Sequence, residues 1–341
     1  MTRTLTLHRA GPGLSLQDLG RSGYLAFGLS RGGAADRLAV FEGAALLGQA
    51  PDLAAIEMAG MGGVFEVSQD TRIALTGAPM RAALDDGTSL RWNASHLLLA
   101  GAQLTIGAVQ AGSYGYLHLG GGIATECRLG ARSTHLASGL GALLQDGDTL
   151  PIGHDTDGVV NLALEPEPRL EGGTLRMVPS LQTDLFGATE LARFQDVTFT
   201  RDTRANRMGV RLVPDGDGFA LDGGLSVLSE VIAPGDIQVT GDGTPYVLMS
   251  ECQTTGGYPR IGSVLPSDLP RAAQAQAGAR FSFTLVSLEE AVELERRAAE
   301  DLKRLPARLH PLLRDPASMR DLLSYQLVSG ATAGRDLDDA L

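Results

Sequence analysis

The residues of this chain that are best suited to bind a ligand lie in one short stretch. It reads Gln253-Thr254-Thr255-Gly256-Gly257-Tyr258-Pro259-Arg260, so an amide, two hydroxyls, a phenol and a guanidinium follow one another. Its two glycines let a ligand approach the backbone closely, and its proline stiffens the exit. A polar turn without a ligand would also be hydrophilic, but few structural turns carry so many hydrogen-bonding groups. We therefore predict that this stretch lines a ligand site.

Two further groups of polar residues extend the candidate site. Gln17, Asp18 and Arg21 crowd between glycines, where they can form an amide or anion pocket. The alternative is a local pair of Asp18 and Arg21 within a loop. Asn206 and Arg207 precede a predicted strand and either face a ligand or lie on a solvated surface. Together with Thr255 and its neighbours, these groups suit the binding of an amide or a carboxylate and the stabilisation of charge that develops there.

Asp36 stands at the end of a glycine-rich approach to a predicted helix. An aspartate at this position is typical of a helix N-cap, although a carboxylate facing a pocket would look the same. The approach also contains Gly28-Leu29-Ser30-Arg31-Gly32, which matches the Gly-x-Ser-x-Gly string of serine hydrolases. A nucleophile elbow needs a helix that opens at the serine, and here two glycines delay the helix to about Asp36. A serine triad is therefore not predicted.

The lysine count excludes several self-contained chemistries. Lys303 is the single lysine in the chain, and it lies in a charged, helical stretch near the end. The main body therefore lacks a Gly-x-x-x-x-Gly-Lys nucleotide loop, a Schiff-base lysine and a lysine that could carry biotin. No cofactor is expected to be covalently bound, and a reaction that needs ATP or biotin would receive it from a partner.

Composition excludes other classes of partner. The net charge of -12 and the lack of clustered basic residues argue against nucleic-acid binding. No apolar run is long enough to span a membrane, and the first residues lack the apolar core of a signal peptide, so we expect a cytoplasmic protein. The six histidines show no close ligand spacing, and two cysteines are too few for a thiolate site, so no metal site is predicted.

The elements that must position these residues are mainly β. Short segments with strand patterning recur from residue 54 to 164, at the spacing of a barrel or sandwich. A proline-rich acidic stretch at 164–173 is the best candidate linker, and strand patterning restarts after it. Ser287 with Glu290 forms a capping box for a helix, and another helix is predicted around residues 318–327. The expected division is a first domain at 1–164, a second at 174–286 and a helical extension at 287–341.

Five motifs in order resemble the allophanate hydrolase subunit 2 family, also called the biotin-dependent carboxyltransferase family. The matching stretches are Gln17-Asp18-Leu19-Gly20-Arg21, Gly33-Ala34-Ala35-Asp36-Arg37, Asn206-Arg207-Met208-Gly209, Pro234-Gly235-Asp236-Ile237-Gln238-Val239 and the stretch from Gln253 to Pro259. The family includes the C subunit of 5-oxoprolinase, the KipA protein and the carboxyltransferase domain of urea carboxylase. The resemblance covers roughly residues 4 to 290.

The resemblance implies two cyclophilin-like β-barrel domains with a few short helices, and a site in the cleft where motifs from both halves meet. It implies one subunit of an ATP-dependent 5-oxoprolinase, a hydrolase that acts on a small lactam and also contains A-type and B-type partner subunits. In that site Gln17, Asp18, Arg21, Asn206, Arg207, Gln253, Thr255, Gly256 and Gly257 would bind substrate, and Asp36, Tyr258 and Arg260 would take part in catalysis.

Two other activities are compatible with the resemblance. One is carboxyl transfer to urea or another small amide from a biotin on a separate carrier. The other is a non-catalytic role like that of KipA, which binds a kinase inhibitor. The chain also departs from the family pattern at Glu251-Cys252, at Glu42-Gly43 and after about residue 305, and these departures bear on the substrate rather than on the fold.

Overall fold

A computed structural model of the protein describes residues 2–220 and 227–312, and it is mainly β. The strands up to the linker are β1 (Thr4–Arg9), β2 (Leu14–Gln17), β3 (Ala55–Ala59), β4 (Val64–Val67), β5 (Thr71–Gly77), β6 (Met80–Leu84), β7 (Ser89–Leu90), β8 (Ala94–Leu98), β9 (Gln103–Val109), β10 (Tyr114–Leu119), β11 (Thr149–Pro151) and β12 (Leu162–Ala163). The later strands are β13 (Gly172–Val178), β14 (Phe199–Ala205), β15 (Gly209–Pro214), β16 (Glu230–Val231), β17 (Asp236–Val239), β18 (Pro245–Leu248), β19 (Thr255–Gly256), β20 (Arg260–Val264), β21 (Arg280–Leu285) and β22 (His310–Pro311).

Helices are few in the described ranges, and all except the 17-residue α4 are short. They are α1 (Arg37–Leu47), α2 (Ala188–Asp196), α3 (Leu269–Gln274) and α4 (Leu288–Arg304), with 3-10 turns at Leu25–Phe27, Leu136–Ser138, Thr183–Leu185 and Leu305–Arg308. Within the described ranges, no helix is both long and apolar enough to cross a membrane.

The first half consists of two sheets that enclose one core. The first sheet has the order β11-β1-β4-β9-β6-β7, and the second has the order β2-β3-β10-β5-β8-β12-β22. Side chains from both sheets, among them Leu7, Ile56, Phe65 and Leu117, are fully buried between them. The strand alternation in the sequence therefore places its apolar side inward, as predicted. The strands of this half pair into two separate sheets around this core, where the resemblance implied a cyclophilin-like β-barrel domain.

The second half is a closed barrel in which the strands run in the order β13-β20-β17-β18-β15-β14-β21. Its first and last strands pair in parallel and close the ring, with Gly172 opposite Arg280 and Met177 opposite Leu285. Its core is aromatic, and Phe194 packs its ring 4.7 Å from that of Phe283. The mainly β class and the barrel of this half are confirmed.

Helix α1 begins and ends as the sequence predicts. Asp36 is its N-cap, and its Oδ1 accepts a hydrogen bond of 3.2 Å from the backbone nitrogen of Ala39. Gly48 ends it in the left-handed conformation with φ of 62°. The helix packs on the second sheet of the first half, and at Gly43 a Cβ atom would overlap the ring of His118, so this contact requires glycine.

The C-terminal segment packs on the first half. Ser287 caps α4 by accepting from the backbone nitrogen of Glu290 at 3.1 Å, as predicted. The apolar side of α4 is only partly covered, because Leu288 and Val292 remain exposed near its start. Beyond α4, Leu305 is buried against α1, and β22 pairs with β12 at the edge of the second sheet. The helix predicted around residues 318–327 lies outside the described residues.

Candidate functional site

One open groove in the second half collects several of the predicted ligand-binding residues. It has a volume of about 520 Å³ and lies beside the turn between β14 and β15, the strands β17 and β18, and the loop that leads to β19 and β20. Its lining residues are Thr203, Arg204, Ala205, Asn206, Met208, Gly209, Ile232, Gln238, Thr240, Tyr246, Leu248, Cys252, Gln253 and Tyr258. A volume of this size is in the range of small-molecule sites.

The exposed wall of the groove comes from the polar loop that the sequence singles out. Gln253 is exposed, and the side chain of Tyr258 is 48% exposed. Thr255 and Gly256 form β19, which pairs with the short strand β16 and so holds the loop in place. The structure therefore brings Gln253 and Tyr258 to the groove, whereas Thr255 lies in the supporting strand.

Two glycines shape this loop. A Cβ atom on Gly256 would overlap the side-chain amide of Gln238, and one on Gly257 would lie 3.2 Å from the hydroxyl of Ser229. Any larger residue at position 256 would therefore displace the end of the Gln238 side chain. These two residues shape the wall.

Asn206 lines the groove from the turn between β14 and β15. Its Oδ1 accepts from the backbone nitrogens of Met208, at 2.8 Å, and Gly209, at 3.3 Å. Asparagine forms this kind of turn readily because its side chain mimics a backbone carbonyl. The side chain is exposed in the groove, so its amide nitrogen is free to face a ligand while its oxygen fixes the turn.

Gln238 is a groove residue that was not predicted from the sequence, as is Arg204. It lies in β17, is 7% exposed, and its Nε2 has no hydrogen-bond partner within residues 2–220 and 227–312. The pairing of β17 with β20 shifts register next to Gln238, an irregularity of the kind that re-aims side chains near sites. A buried amide without a partner costs free energy unless a ligand or water satisfies it. A polar residue between Ile237 and Val239 was the signal that could have found it.

Cys252 also lines the groove, as a neutral thiol. Its pKa is raised to about 12, mainly by burial and in part by the nearby carboxylate of Asp236. Since only the thiolate is a good nucleophile, Cys252 contributes an apolar surface rather than covalent chemistry.

Arg260 does not line this groove. It is 8% exposed, and its guanidinium pairs with Glu230 at 2.7 Å and with Asp236 at 3.2 Å. It also donates to the carbonyl oxygen of Val231 at 3.0 Å, and its backbone nitrogen donates to Gln182 at 3.0 Å. The contacts of Arg260 with Glu230 and Val231 therefore hold β16 against the barrel.

Arg207 lies at the junction between the two halves. Its guanidinium pairs with Glu57 from β3 of the first half and, at 2.6 Å, with Glu251 from the second half. It also donates to the carbonyl oxygen of Gly33. Burial alone would lower the pKa of Arg207, but the two carboxylates raise it overall. Arg207 thus ties the glycine-rich approach of α1 to the loop that carries Gln253.

The first predicted cluster, at Gln17 to Arg21, is buried and bonded within the first half. Gln17 donates to the carbonyl oxygen of Thr134 at 3.2 Å, and Asp18 accepts from the backbone nitrogen of Arg132 at 2.6 Å. Arg21 donates to the carbonyl oxygen of Ser133 at 2.6 Å. All three therefore hold the segment at 128–134. They do not reach the groove, whose lining residues all come from the second half.

Asp36 is fully buried and takes part in the contact between the halves. Its Oδ2 accepts from Nε of Arg169 in the linker at 2.7 Å and from Nε2 of Gln274 in α3 at 2.8 Å. Arg169 also pairs with Glu42 at 2.6 Å. Burial raises the pKa of Glu42, which Arg169 opposes. In this structure Asp36 is a helix cap and an ion-pair partner, away from the groove.

Ser30, which the Gly-x-Ser-x-Gly string singles out, has a histidine partner that the sequence did not indicate. Its Oγ lies 2.9 Å from Nε2 of His135, and both side chains are buried. Nδ1 of His135 has no partner among the described residues, so the third member of a triad is missing. Burial lowers the pKa of His135, against an opposing effect of Glu251.

The groove can offer hydrogen bonds to a small polar ligand. Gln238, Gln253, Asn206 and Tyr258 carry amide and phenol groups, and Ile232 and Leu248 supply apolar surface. Within the described part of the chain, no three His, Cys, Asp or Glu side chains are arranged to hold a metal ion.

Comparison with known proteins identifies the family of this chain. The family model described as carboxyltransferase domain, subdomain A and B, matches residues 27–285. The chain is 34% identical to the C subunit of 5-oxoprolinase from Haemophilus influenzae over 83% of its own length and 91% of that protein. It is 34% identical to the C subunit of 5-oxoprolinase from Escherichia coli over 90% of its own length and 99% of that protein.

A solved structure supports the same assignment. The crystal structure of TTHA0988 matches with a TM-score of 0.76 and 29% identity, covering 83% of this chain. This chain spans 56% of the length of that structure. Because the family model covers most of the sequence and the relatives match along nearly their whole length, the chain belongs to the carboxyltransferase domain A and B family.

Proposed function

We propose that this protein is one component of an ATP-dependent 5-oxoprolinase, which opens the lactam of 5-oxoproline to glutamate. The observation that carries the proposal is the groove with the unpartnered amide of Gln238, in a chain that matches two 5-oxoprolinase C subunits along almost their whole length. A lactam has a carbonyl oxygen that can accept from this amide and a ring N–H that needs an acceptor.

The groove residues take separate roles in this proposal. Gln238 donates to the lactam carbonyl oxygen, where negative charge develops when the ring carbon is attacked. Gln253 and Tyr258, on the exposed wall, orient the ring. Among the described residues that line the groove, Arg204 is the only charged one; its exposed guanidinium pairs with Asp202 at 3.0 Å, and in this proposal it also binds the substrate carboxylate. Arg207 and Arg260 act indirectly by fixing the walls.

The reaction requires groups that this chain does not supply alone. Ring opening adds water across the C–N bond, and coupling it to ATP needs a nucleotide site. The chain has one lysine, outside any nucleotide-binding loop, and we assign ATP binding to A-type and B-type partner subunits. Both bacterial relatives are named as C subunits, which supports an assembly with further components. The acid or base that moves protons is then a partner group or Tyr258.

The test is to purify the chain with the products of its neighbouring genes and to measure glutamate formed from 5-oxoproline with and without ATP. The expected result is ATP-dependent glutamate formation by the complex and none by the chain alone. Gln238→Ala should lower this activity strongly in a complex that still assembles. A complete complex that binds ATP but never forms glutamate would refute the proposal.

Carboxyl transfer is the second candidate, and the description of the family model favours it. In this case a carboxylated biotin on a separate carrier would enter the same groove, and Gln238 would contact its ureido carbonyl or the acceptor amide. The matching experiment supplies a carboxylated biotin carrier and follows loss of its carboxyl group in the presence of urea or another small amide. Discharge without any 5-oxoproline hydrolysis would favour this candidate. The KipA-type binding role stays a prediction.

A further inference from the structure

A second pocket lies away from the groove, where the two halves, the linker and the C-terminal helix meet. It has a volume of about 450 Å³. Its walls come from α1, from the linker and β13, from the start of α3 with the residues before it, and from the second part of α4 with the turn after it. None of its lining residues belongs to the groove described above.

The pocket combines an apolar body with an excess of arginine. Leu38, Phe41, Leu302 and Leu305 supply most of the apolar surface, together with prolines and alanines of the linker and helices. The lining arginines are Arg37, Arg169, Arg176, Arg271 and Arg308, and the lining carboxylates are Glu167, Asp268, Glu295 and Asp301. Some of these charges are neutralised by ion pairs within the protein.

Three of the arginines have carboxylate partners in the structure. Arg169 pairs with Asp36 and Glu42, Arg176 with Asp268, and Arg308 with Glu167. Arg271 donates to the carbonyl oxygen of Gly172 at 2.8 Å, a neutral partner. Among the described residues that line the pocket, the arginine that remains without a partner is Arg37.

Arg37 is the arginine that a ligand in this pocket can bind. Its side chain is half-buried, and its Nε is buried without a hydrogen-bond partner within residues 2–220 and 227–312. The pKa of Arg37 is lowered to about 10, mainly by burial and in part by Arg31, while Glu295 opposes both. Arg37 still carries its charge at neutral pH, so a half-buried cation faces this pocket without a contacting anion in the described part of the chain. Such an arrangement leaves the cation for water or for a ligand anion to satisfy, and an anion adds a charge-assisted bond that water cannot.

Glu295 sets a limit on the charge of that ligand. Its carboxylate lies on α4, accepts from the backbone nitrogen of Ser267 at 2.9 Å, and attracts Arg37 from beyond contact distance. A dianion would be repelled by Glu295, whereas one carboxylate can bind Arg37 as a fork. The apolar residues around it then require an apolar body of moderate size.

We propose that this pocket is a second ligand site, which binds a small organic monocarboxylate with an apolar body and holds its carboxylate on Arg37. Because its walls come from both halves and from α4, an occupied site would hold these three parts together. This inference does not depend on the reaction in the groove, since it concerns other residues.

The test is calorimetric titration of the purified full-length chain at low salt with two probes, octanoate and 3-phenylpropionate. Octanamide serves as the neutral match for octanoate. The expected result is saturable binding of at least one carboxylate, and binding of octanamide that is at least about tenfold weaker. Failure of both carboxylates to bind would overturn the proposal, as would equal binding of octanamide.

Three variants connect the binding to named residues. Arg37→Gln should weaken carboxylate binding at least about tenfold, and Glu295→Gln should tighten it at least about threefold, because it removes repulsion and keeps the oxygen that accepts from Ser267. Arg296→Gln is the control for Arg37→Gln, since it also removes one positive charge. Arg296 lies on α4, pairs with Glu293 and does not line the pocket.

The two variants are expected to change carboxylate binding in opposite directions, so the test does not depend on either variant alone. A folded Arg37→Gln protein that binds octanoate as well as the control would overturn the proposal. Folding is checked by circular dichroism and thermal melting. If Arg37→Gln does not fold, Glu295→Gln decides, because unchanged or weaker binding in that variant contradicts a carboxylate held on Arg37.

Discussion

The guanidinium of Arg207 pairs with the carboxylate of Glu57 across the junction of the two halves. Glu57 is 1% exposed and also accepts hydrogen bonds from the hydroxyl of Tyr116, at 2.6 Å, and from the backbone nitrogen of Ala35, at 2.8 Å. Glu251 binds the same guanidinium from the other side. One arginine therefore neutralises two buried carboxylates that belong to different halves.

The first prediction concerns this pair. Arg207→Met should lower the free energy of unfolding by about 3–5 kcal/mol, because it leaves Glu57 and Glu251 buried without a counter-charge. Arg207→Lys should lose less, since it keeps the charge but not the fork geometry. Chemical denaturation measures the effect. Arg296→Met, which breaks an exposed pair, is the control and should unfold like the parent protein. Equal stability of the Arg207→Met and control proteins would contradict the assigned role.

A second prediction concerns the unpartnered amide. Gln238→Ala should lower kcat/KM for 5-oxoproline in the assembled complex by about 100-fold, a loss typical of removing one donor at a developing negative charge. The loss of stability should be limited to the cavity that truncation of this buried side chain leaves, since Nε2 of Gln238 has no hydrogen-bond partner among the described residues. Gln110→Ala, at an exposed glutamine outside the groove, is the matched control. A parent-like kcat/KM in Gln238→Ala would remove Gln238 from the site.

The phenol of Tyr258 gives a third prediction. Tyr258→Phe removes one hydroxyl from a side chain that is 48% exposed, so unfolding should not change. If Tyr258 orients the substrate, kcat/KM should fall about tenfold or more. Tyr24→Phe, outside the groove, removes the same group and should leave the rate unaltered. The comparison is made by steady-state kinetics on the same preparation of partner subunits.

Asp36 gives a fourth prediction, which separates a structural role from a catalytic one. Asp36→Asn keeps an oxygen to cap Ala39, but it weakens the bonds from Arg169 and Gln274. We expect a loss of about 2–4 kcal/mol in the free energy of unfolding and less than a tenfold loss of kcat at a temperature where the protein is folded. A loss of kcat above 100-fold with unchanged stability would instead assign Asp36 to catalysis.

The fifth prediction is a pH dependence of stability. Burial lowers the pKa of His118 from 6.5 to about 3. The unfolded chain therefore takes up a proton at pH values where the folded protein does not, and stability falls as the pH drops from about 6.5 towards 3. The contribution of His118 approaches about 1.4 kcal/mol per pH unit within that window. Above pH 7 it should be constant.

The check for His118 is denaturation at several pH values between 7 and 4. The hydroxyl of Thr76 donates to the carbonyl oxygen of Ala39, so it accepts from Nε2 of His118, a bond that glutamine can replace. His118→Gln should flatten the pH dependence even if it lowers stability overall. His154→Gln, at an exposed position, should leave the slope as it is. An unchanged slope in His118→Gln would mean that other groups cause the acid sensitivity.

Local features of the fold were predictable from the sequence. The strand patterning predicted between residues 54 and 164 is present in strands such as Val64–Val67 and Tyr114–Leu119, and the caps at Asp36 and Ser287 are confirmed. These features depend on neighbouring residues only. The closed barrel of the second half came from the family resemblance, because the parallel pairing of β13 with β21 joins segments about a hundred residues apart.

The candidate site was harder to predict, because polar residues serve two purposes. Arg21 and Arg207 are polar residues beside glycines, which is typical of ligand sites, yet their partners are distant groups within the protein. A single sequence does not reveal such pairings. The departures from the family pattern have structural partners as well: Glu42 pairs with Arg169 and Glu251 with Arg207. Gln238 was not predicted to line the site, because the stretch that contains it was identified only as a match to the family.

The pairing of β22 with β12 has a practical consequence for anyone who shortens this protein. Although the family match ends at residue 285, the segment after it returns to cover Leu164 and to extend the second sheet of the first half. The barrel is therefore inserted within the first half rather than appended to it. A truncation after residue 286 would strip an edge strand and the buried Leu305 from a body more than a hundred residues upstream, so limited proteolysis there should loosen the first half before the barrel.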